Sequence, residues 1–400
     1  MIAIDILYSV TFVVVSYITF LHLILWTENK EKLLKKIKIS KLPSISVLVP
    51  AFNEEDSIKD TIKNLLGINY PKKNLEIIVI DDGSTDRTYE IAKRYEGKIK
   101  ILKKKNGGKA SALNFGIDNA KSEFVAVVDA DTLLEKNALM NCMKYFEDES
   151  IAAVTSHILT KQKNKLIERL QNVELMIIAL TRKLKEGLNL IDVTPGPLSV
   201  YRKDILMKVG KFDENNLTED VEIAWRILRN NYKIKMAYDA MAYSNCPSSL
   251  GKWWMQRTRW DIGGIQTLLK HLDCLFKKGT SSVKTFILPF SITSYLLNTL
   301  GIVAFLYLLV SSFLYLIKSF FIGADIFQFN ISYSINVFSI YGAITLLLSL
   351  LIMKISLDSH KKKSDIVTLA MFLPYMLLLP FVYLYSIYKF ARHERRWLTK

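Results

Sequence analysis

Uncharged apolar runs at both ends of this 400-residue chain enclose a charged middle, and that segregation limits the possible folds more than any other feature. Residues Ile6–Trp26 contain no Asp, Glu, Lys or Arg and are long enough to cross a hydrocarbon core of about 30 Å. A cleaved signal peptide would need a basic start, a shorter apolar run and small residues at its cleavage site. Here no Lys or Arg precedes residue 30, and Trp26 suits an interfacial anchor. Residues 1–28 are therefore expected to be a retained transmembrane helix. Three more apolar stretches follow, near 284–317, 334–356 and 366–389. The first contains Pro289 and is too long for one upright helix, so a tilted helix or an interfacial piece leading into a crossing is expected.

The formal net charge is +16, but much of the excess sits beside the apolar segments, in Lys30–Lys41, His360–Lys363 and Arg392–Lys400. That placement fits anionic headgroups and the positive-inside tendency. No nucleic-acid module is visible, so no nucleic-acid partner is expected. The reading is a multi-pass protein of the cell membrane: a basic linker at 29–43, a cytoplasmic domain at 44–272, a membrane region of about three helices at 273–391 and a basic tail at 392–400. Three C-terminal crossings would put the tail outside, against the charge rule. An even number keeps it inside, if 284–317 crosses twice or if 366–389, with Pro374 and Pro380, lies partly in the interface. The three cysteines show no CxxC and no paired histidines, which disfavours a disulfide framework or a zinc site.

From residue 44 to about 155 the pattern alternates. Strands are expected at Ser46–Val49, Ile77–Ile80, Ile99–Leu102 and Phe124–Val128, with helices after Asn53–Glu55, near Thr88–Tyr95 and at Lys109–Ala120. Such alternation predicts an α/β domain on a largely parallel sheet. Ligands of these sheets bind beyond the carboxyl ends of the strands, near a topological switch. Polar clusters fall at those ends: Asn53–Glu55, Asp81–Asp86 and Asp129–Asp131. One such cluster could be an ordinary solvated turn; three in succession point to a site.

No G-x-G-x-x-G opens a helix after the first strand, so a Rossmann fingerprint is absent. Asn106-Gly107-Gly108-Lys109-Ala110 fails as a P-loop, because Lys103 and Ala110 stand where a glycine and a Ser or Thr belong. Lys109 beside two glycines still lets backbone and ammonium approach a diphosphate. Asp129 and Asp131, separated by one residue at a strand end, can present two carboxylates to one divalent cation with a diphosphate, and Mg2+ or Mn2+ suits such oxygens.

Assembled in order, these motifs resemble the family 2 glycosyltransferases of GT-A fold, and within them the membrane synthases of cellulose, chitin, hyaluronan and poly-N-acetylglucosamine. The matching residues are Pro50-Ala51-Phe52-Asn53-Glu54, Asp81-Asp82-Gly83-Ser84, Asn106–Lys109, Asp129-Ala130-Asp131, Gly196–Arg202, Thr218-Glu219-Asp220 and Gln256-Arg257-Thr258-Arg259-Trp260. The resemblance implies a nucleotide-diphosphate sugar donor, usually a UDP-sugar, and a glycan or lipid-linked acceptor. It implies that Ala51, Asn53, Glu54, Glu55, Asp81, Asp82, Lys109 and Asp129 line the donor site and that Asp131 binds the metal. Asp220 is then the general base, while Glu219, Gln256, Arg259 and Trp260 meet the diphosphate and acceptor. The ordinary reading of Thr218–Arg226 is a helix start capped by Thr218, with Glu222 and Arg226 on a solvated face. Gln256–Trp260 likewise could be an interfacial amphipathic helix.

The expectation is thus a membrane-bound inverting transferase that extends a β-linked cell-surface polysaccharide. A second enzymatic reading is single transfer to a polyprenyl phosphate or glycolipid. A non-enzymatic reading is an inactive membrane scaffold of the same fold.

Overall fold

The computed structural model describes residues 2–30, 42–322, 337–360 and 364–392. The basic linker beyond Lys30, Lys361–Lys363 and the tail beyond Arg392 lie outside the described residues. Two compact units emerge: Asn29–Leu288 with Ser364–Lys400, and Met1–Glu28 with Pro289–Lys363.

The first unit is built on a mixed sheet of β1 (Ile45–Ala51), β2 (Leu75–Asp81), β3 (Lys100–Lys103), β4 (Phe124–Val127), β5 (Leu133–Leu134), β6 (Ile151–Thr160), β7 (Ser199–Arg202) and β8 (Lys233–Ser244). Their order is β3-β2-β1-β4-β7-β6-β8-β5. The first four strands run parallel, β7 runs antiparallel between β4 and β6, β8 runs parallel to β6, and β5 closes the far edge antiparallel to β8. Helices cover both faces of a parallel sheet, so its central strands bury both sides. Val47, Leu48 and Val49 of β1 and Ile78, Val79 and Ile80 of β2 accordingly have no exposure, which is why they read as unbroken apolar runs.

Register places the site. Pro50 pairs with Ile80 and Ala51 with Asp81, while Leu48 pairs with Val127 on the other side. The chain leaving β1, β2 and β4 therefore emerges along one edge, at the point where strand order reverses about β1.

The helices of this unit are α2 (Ile58–Leu66), α3 (Thr88–Lys93), α4 (Lys109–Asn119), α5 (Ala138–Met143), α6 (Leu166–Lys185), α7 (Lys203–Lys208), α8 (Glu219–Arg229), α9 (Leu250–His271), α12 (Ile366–Met376) and α13 (Leu379–Ala391). The second unit holds α1 (Ile2–Asn29), α10 (Leu288–Ile322) and α11 (Val337–Ser359). α10 is continuous over 35 residues with Pro289 in its first turn, about 52 Å of helix. Two crossings by 284–317 are thereby ruled out. Among the described residues, Ser9–Asn29, Val283–Val303 and Ile366–Ala391 are long and apolar enough to cross a membrane. The last divides into α12 and α13, with Pro374 inside α12 and Pro380 in the first turn of α13, and these pack on α6 and α9.

The solvated-face reading of α8 needs correction. Thr218 occupies the cap position without a side-chain capping bond. Glu222 pairs with Arg226 but has no exposure, because Lys270 and His271 of α9 cover it. α8 and α9 pack closely where Gly263 faces Thr218, and a β-carbon on Gly263 would stand 2.8 Å from the Thr218 Cβ. Gly263→Ala should force the two helices apart and cost about 1–3 kcal/mol by overpacking. A lowered thermal midpoint of the purified protein checks this. Gly251→Ala on the same helix is the control, since its added carbon meets nothing within 4 Å and should leave the midpoint nearly in place.

Candidate active site

The ends of β1 and β2 are tied together by their loops. The Ala51 carbonyl accepts from Asp82 N at 2.8 Å. Asn53, in left-handed backbone at φ 54°, donates its N–H to Ser84 Oγ at 3.0 Å and accepts from Thr85 N at 2.9 Å. Glu54 N donates to Thr88 Oγ1 at 2.7 Å, and Glu55 N to Asp86 Oδ2 at 3.1 Å. The Glu54 carboxylate takes a bond from Ser57 Oγ at 2.7 Å, and that of Glu55 pairs with Arg87 at 3.0 Å. Asp81 is fully buried, accepts from Ser84 N at 3.3 Å, and leaves Oδ2 without a partner.

Asp82 turns the other way. Only 3 % exposed, it accepts from Gly108 N at 2.7 Å, Gly107 N at 3.1 Å and Lys104 Nζ at 2.8 Å. It thus fastens the glycine loop from beneath and sets where α4 begins. The first residue of α4 is Lys109.

Lys109 gathers the charged groups. Its ammonium lies 2.6 Å from Asp129 Oδ1 and 3.1 Å from Glu219 Oε1. Burial pulls the ammonium down, yet Asp129, Glu219 and Asp220 together push it above its usual range. Beside it, burial raises the Asp220 carboxyl to about 6, with Glu219 adding to the rise and Lys109 and Arg259 opposing it. Asp220 Oδ1 accepts from Val221 N at 3.0 Å. Its carbonyl is held by Thr194, through N at 3.1 Å and Oγ1 at 2.9 Å. Burial likewise lifts Asp131 to about 6, helped by Asp129 and Glu54 and resisted by Lys109.

These mutual effects bring Glu54, Lys109, Asp129, Asp131, Glu219, Asp220 and Arg259 into one electrostatic cluster. Asp82 joins it through the loop that it fastens. Gln256, Arg259 and Trp260 lie on α9. Arg259 Nη1 donates to the Leu217 carbonyl at 3.4 Å, next to the Asp220 helix. Gln256 is half-buried, and Trp260 is 37 % exposed.

The residues fit a divalent cation that the substrate completes. Asp131 Oδ1 accepts from the hydroxyls of Thr132 and Ser244, each at 3.4 Å, and its raised value reports burial together with crowded negative charge. Among the described residues no group of three or more His, Cys, Asp or Glu forms a ready cage. Remaining ligands would have to be diphosphate oxygens and water, as Mg2+ commonly arranges.

Two contributors, Lys104 and Arg182, escape a reading of the sequence. Lys104 sits in a plain basic run. Arg182 of α6 is buried, brought down to about 10 by that burial despite Asp192 and Asp220, and lies 38 positions from Asp220 in the chain. Gly196 lies against the Lys109–Asp129 pair: a β-carbon there would stand 2.6 Å from Asp129 Oδ1. The sequence marks it as the first residue of the Gly196–Arg202 run, without a role of its own. Since the atoms it would strike are side-chain ends, Gly196→Ala should displace the ion pair while the fold survives. Expected is a loss of activity of about tenfold or more, with a circular-dichroism spectrum like that of the wild type.

A sequence profile described as Glycosyl transferase family 2 matches residues 46–210. A poly-beta-1,6-N-acetyl-D-glucosamine synthase of Staphylococcus aureus (strain MSSA476) is 32 % identical over 259 residues, which cover 64 % of this chain and 62 % of that protein. The chain therefore matches less than two thirds of that relative's length. The synthase of the same name from Staphylococcus epidermidis is 31 % identical over 324 residues, 76 % of this chain and 77 % of that protein. In fold, the mannosyltransferase PcManGT from Pyrobaculum calidifontis, solved in complex with GDP-Man and Mn2+, superposes with a TM-score of 0.53 at 19 % identity, covering 89 % of this chain and 100 % of its own. With a GT-A sheet, a charged cleft at its switch point and relatives at this distance, the chain belongs to the family 2 glycosyltransferases.

Proposed function

We propose that the protein takes a sugar from a UDP-sugar, UDP-N-acetylglucosamine in particular, and extends a β-linked cell-surface polysaccharide with inversion, working from the cytoplasmic face of the membrane. The observation that carries this is the meeting of Lys109 with Asp129 and Glu219, beside Asp131 and Asp220. The names of the relatives support the choice of sugar and linkage.

In this reading Asn53–Glu55 and Asp81 line the nucleotide side, where the unpartnered Asp81 oxygen suits an imide N–H. Lys109 and Arg259 meet the diphosphate, the guanidinium through its planar fork. Asp131, with Asp129 beside it, would hold Mg2+ or Mn2+, and the bound ion neutralises charge on the departing diphosphate. Asp220 accepts the proton of the acceptor hydroxyl. The oxygen bonds to the anomeric carbon as the bond to the diphosphate oxygen breaks on the opposite face, so an α-linked donor gives a β-glycoside and UDP leaves. Trp260 offers its indole to the acceptor sugar.

A base needs to be basic enough to take the proton and still ionised at working pH. Asp220, near 6 rather than the ordinary carboxylate value, meets both conditions. Because the ionised form is the active one, transfer should fall as pH drops through about 6. Bound cation competes with the proton at Asp131, so raising Mn2+ should move any limb due to Asp131 to lower pH and leave that of Asp220 in place. A pH–rate profile at two Mn2+ concentrations separates them.

A panel of UDP-, GDP- and dTDP-sugars with Mn2+ or Mg2+ tests the reading as a whole. Expected are nucleotide release with a UDP-sugar, a ladder of products from labelled donor, and a drop of about 10²–10⁴-fold in Asp220→Asn. One lipid-soluble product instead of a ladder would favour single transfer to a lipid. Full activity in Asp220→Asn would refute the assignment of the base.

A further inference from the structure

α9 is held on two sides. On one, Gly263 abuts Thr218, Gln266 Oε1 accepts from Leu217 N at 2.9 Å, and Arg259 reaches the Leu217 carbonyl. That side touches the turn leading to Asp220. On the other, Trp253 and Arg257, one helical turn apart, are buried against α6 and α12. Arg257 Nη2 donates to Glu174 Oε2 at 2.7 Å, and the Tyr375 hydroxyl donates to the same carboxylate oxygen. Trp253 Nε1 in turn donates to the Tyr375 oxygen at 2.8 Å.

This is a closed polar cluster in an apolar setting, with Arg257, Glu174 and Tyr375 exposed by 6, 8 and 3 %. Burying an ion pair costs desolvation that its attraction need not return, so stability is a weak reason for it. Geometry is a better one. The Arg257 guanidinium carbon lies 4.1 Å from the centre of the Trp260 ring, and Arg257 Nε has no partner. Among the described residues, the hydrogen bonds that orient the cation under Trp260 run to Glu174 and Tyr375.

We propose that Glu174 and Tyr375 are positioning residues. Through Arg257 they fix the plane of Trp260, so that α12 governs where an acceptor sugar rests relative to Asp220. The inference rests on the acceptor role given to Trp260 above.

The test uses the full chain in detergent, UDP-N-acetylglucosamine as donor and a β-1,6-linked N-acetylglucosamine tetramer as acceptor probe. Tyr375→Phe and Glu174→Gln should each raise the acceptor KM about fivefold, while the donor KM and acceptor-free donor hydrolysis stay as in wild type. In a Trp260→Phe background the Tyr375→Phe effect should vanish, because residues acting through one group are not additive. Unchanged acceptor KM, or effects that simply add, would overturn the proposal. A general loss of folding would instead move every parameter together with the thermal midpoint, and would also count against it. An activity-free readout separates this inference from the functional one. In protein labelled with 5-fluorotryptophan, the Trp260 resonance, assigned with Trp260→Phe, should shift in Tyr375→Phe. If it shifts while no nucleotide sugar is turned over, the positioning of Trp260 stands and the functional reading falls; if transfer is intact and the resonance is unmoved, the positioning falls.

Discussion

One half-buried ammonium allows this cleft to exist. Asp129 comes from one part of the chain and the adjacent Glu219 and Asp220 from another, and like charges brought together out of water repel strongly. Lys109, placed among them by the start of α4, offsets that repulsion and draws Asp129 and Glu219 to within about a hydrogen bond of itself. The β4 end and the α8 start are thereby joined across the sheet. Without the cation, the Asp220 carboxyl, already raised by burial, would move further toward the neutral form, and a neutral Asp220 could not accept a proton.

The support around Lys109 follows from that requirement. Asp82 spends its carboxylate on the Gly107 and Gly108 amides and on Lys104, fixing the loop that delivers Lys109. Gly196 leaves room for the ammonium where any side chain would crowd it. Thr194 holds the Asp220 backbone at the start of α8. Farther out, Glu222, wholly buried, binds Arg226 and Lys270, so that α8 and α9 meet the cleft as neighbours.

Much of this geometry is legible in the sequence, for a physical reason. β1, β2 and β4 are buried on both faces, so they appear as unbroken apolar runs, and the acidic residues at their ends mark the edge where ligands bind. The second half of the sheet gives a weaker signal. β7 has four residues, and the edge strand β5 has two. Direction is harder still: Asp81 and Asp82 are adjacent, yet one faces the Ser84 turn and the other the glycine loop. Glu222 reads as a surface acid because its covering residues, Lys270 and His271, lie about fifty positions away. Tyr375 and Ser386 lie in a run that composition assigns to a membrane, yet they bond to Glu174 and Asp261 of the catalytic unit. Residue type alone carries no trace of such distant partners.

In the proposed mechanism Asp131 takes the cation and diphosphate, and Asp220 the acceptor proton. Calorimetric titration of UDP into the protein, with and without Mn2+, tests that division most directly. Wild type and Asp220→Asn should bind UDP more tightly when Mn2+ is present, by similar amounts, while Asp131→Asn should lose that enhancement. Retention of Mn2+-dependent UDP binding in Asp131→Asn, or its loss in Asp220→Asn, would contradict the account.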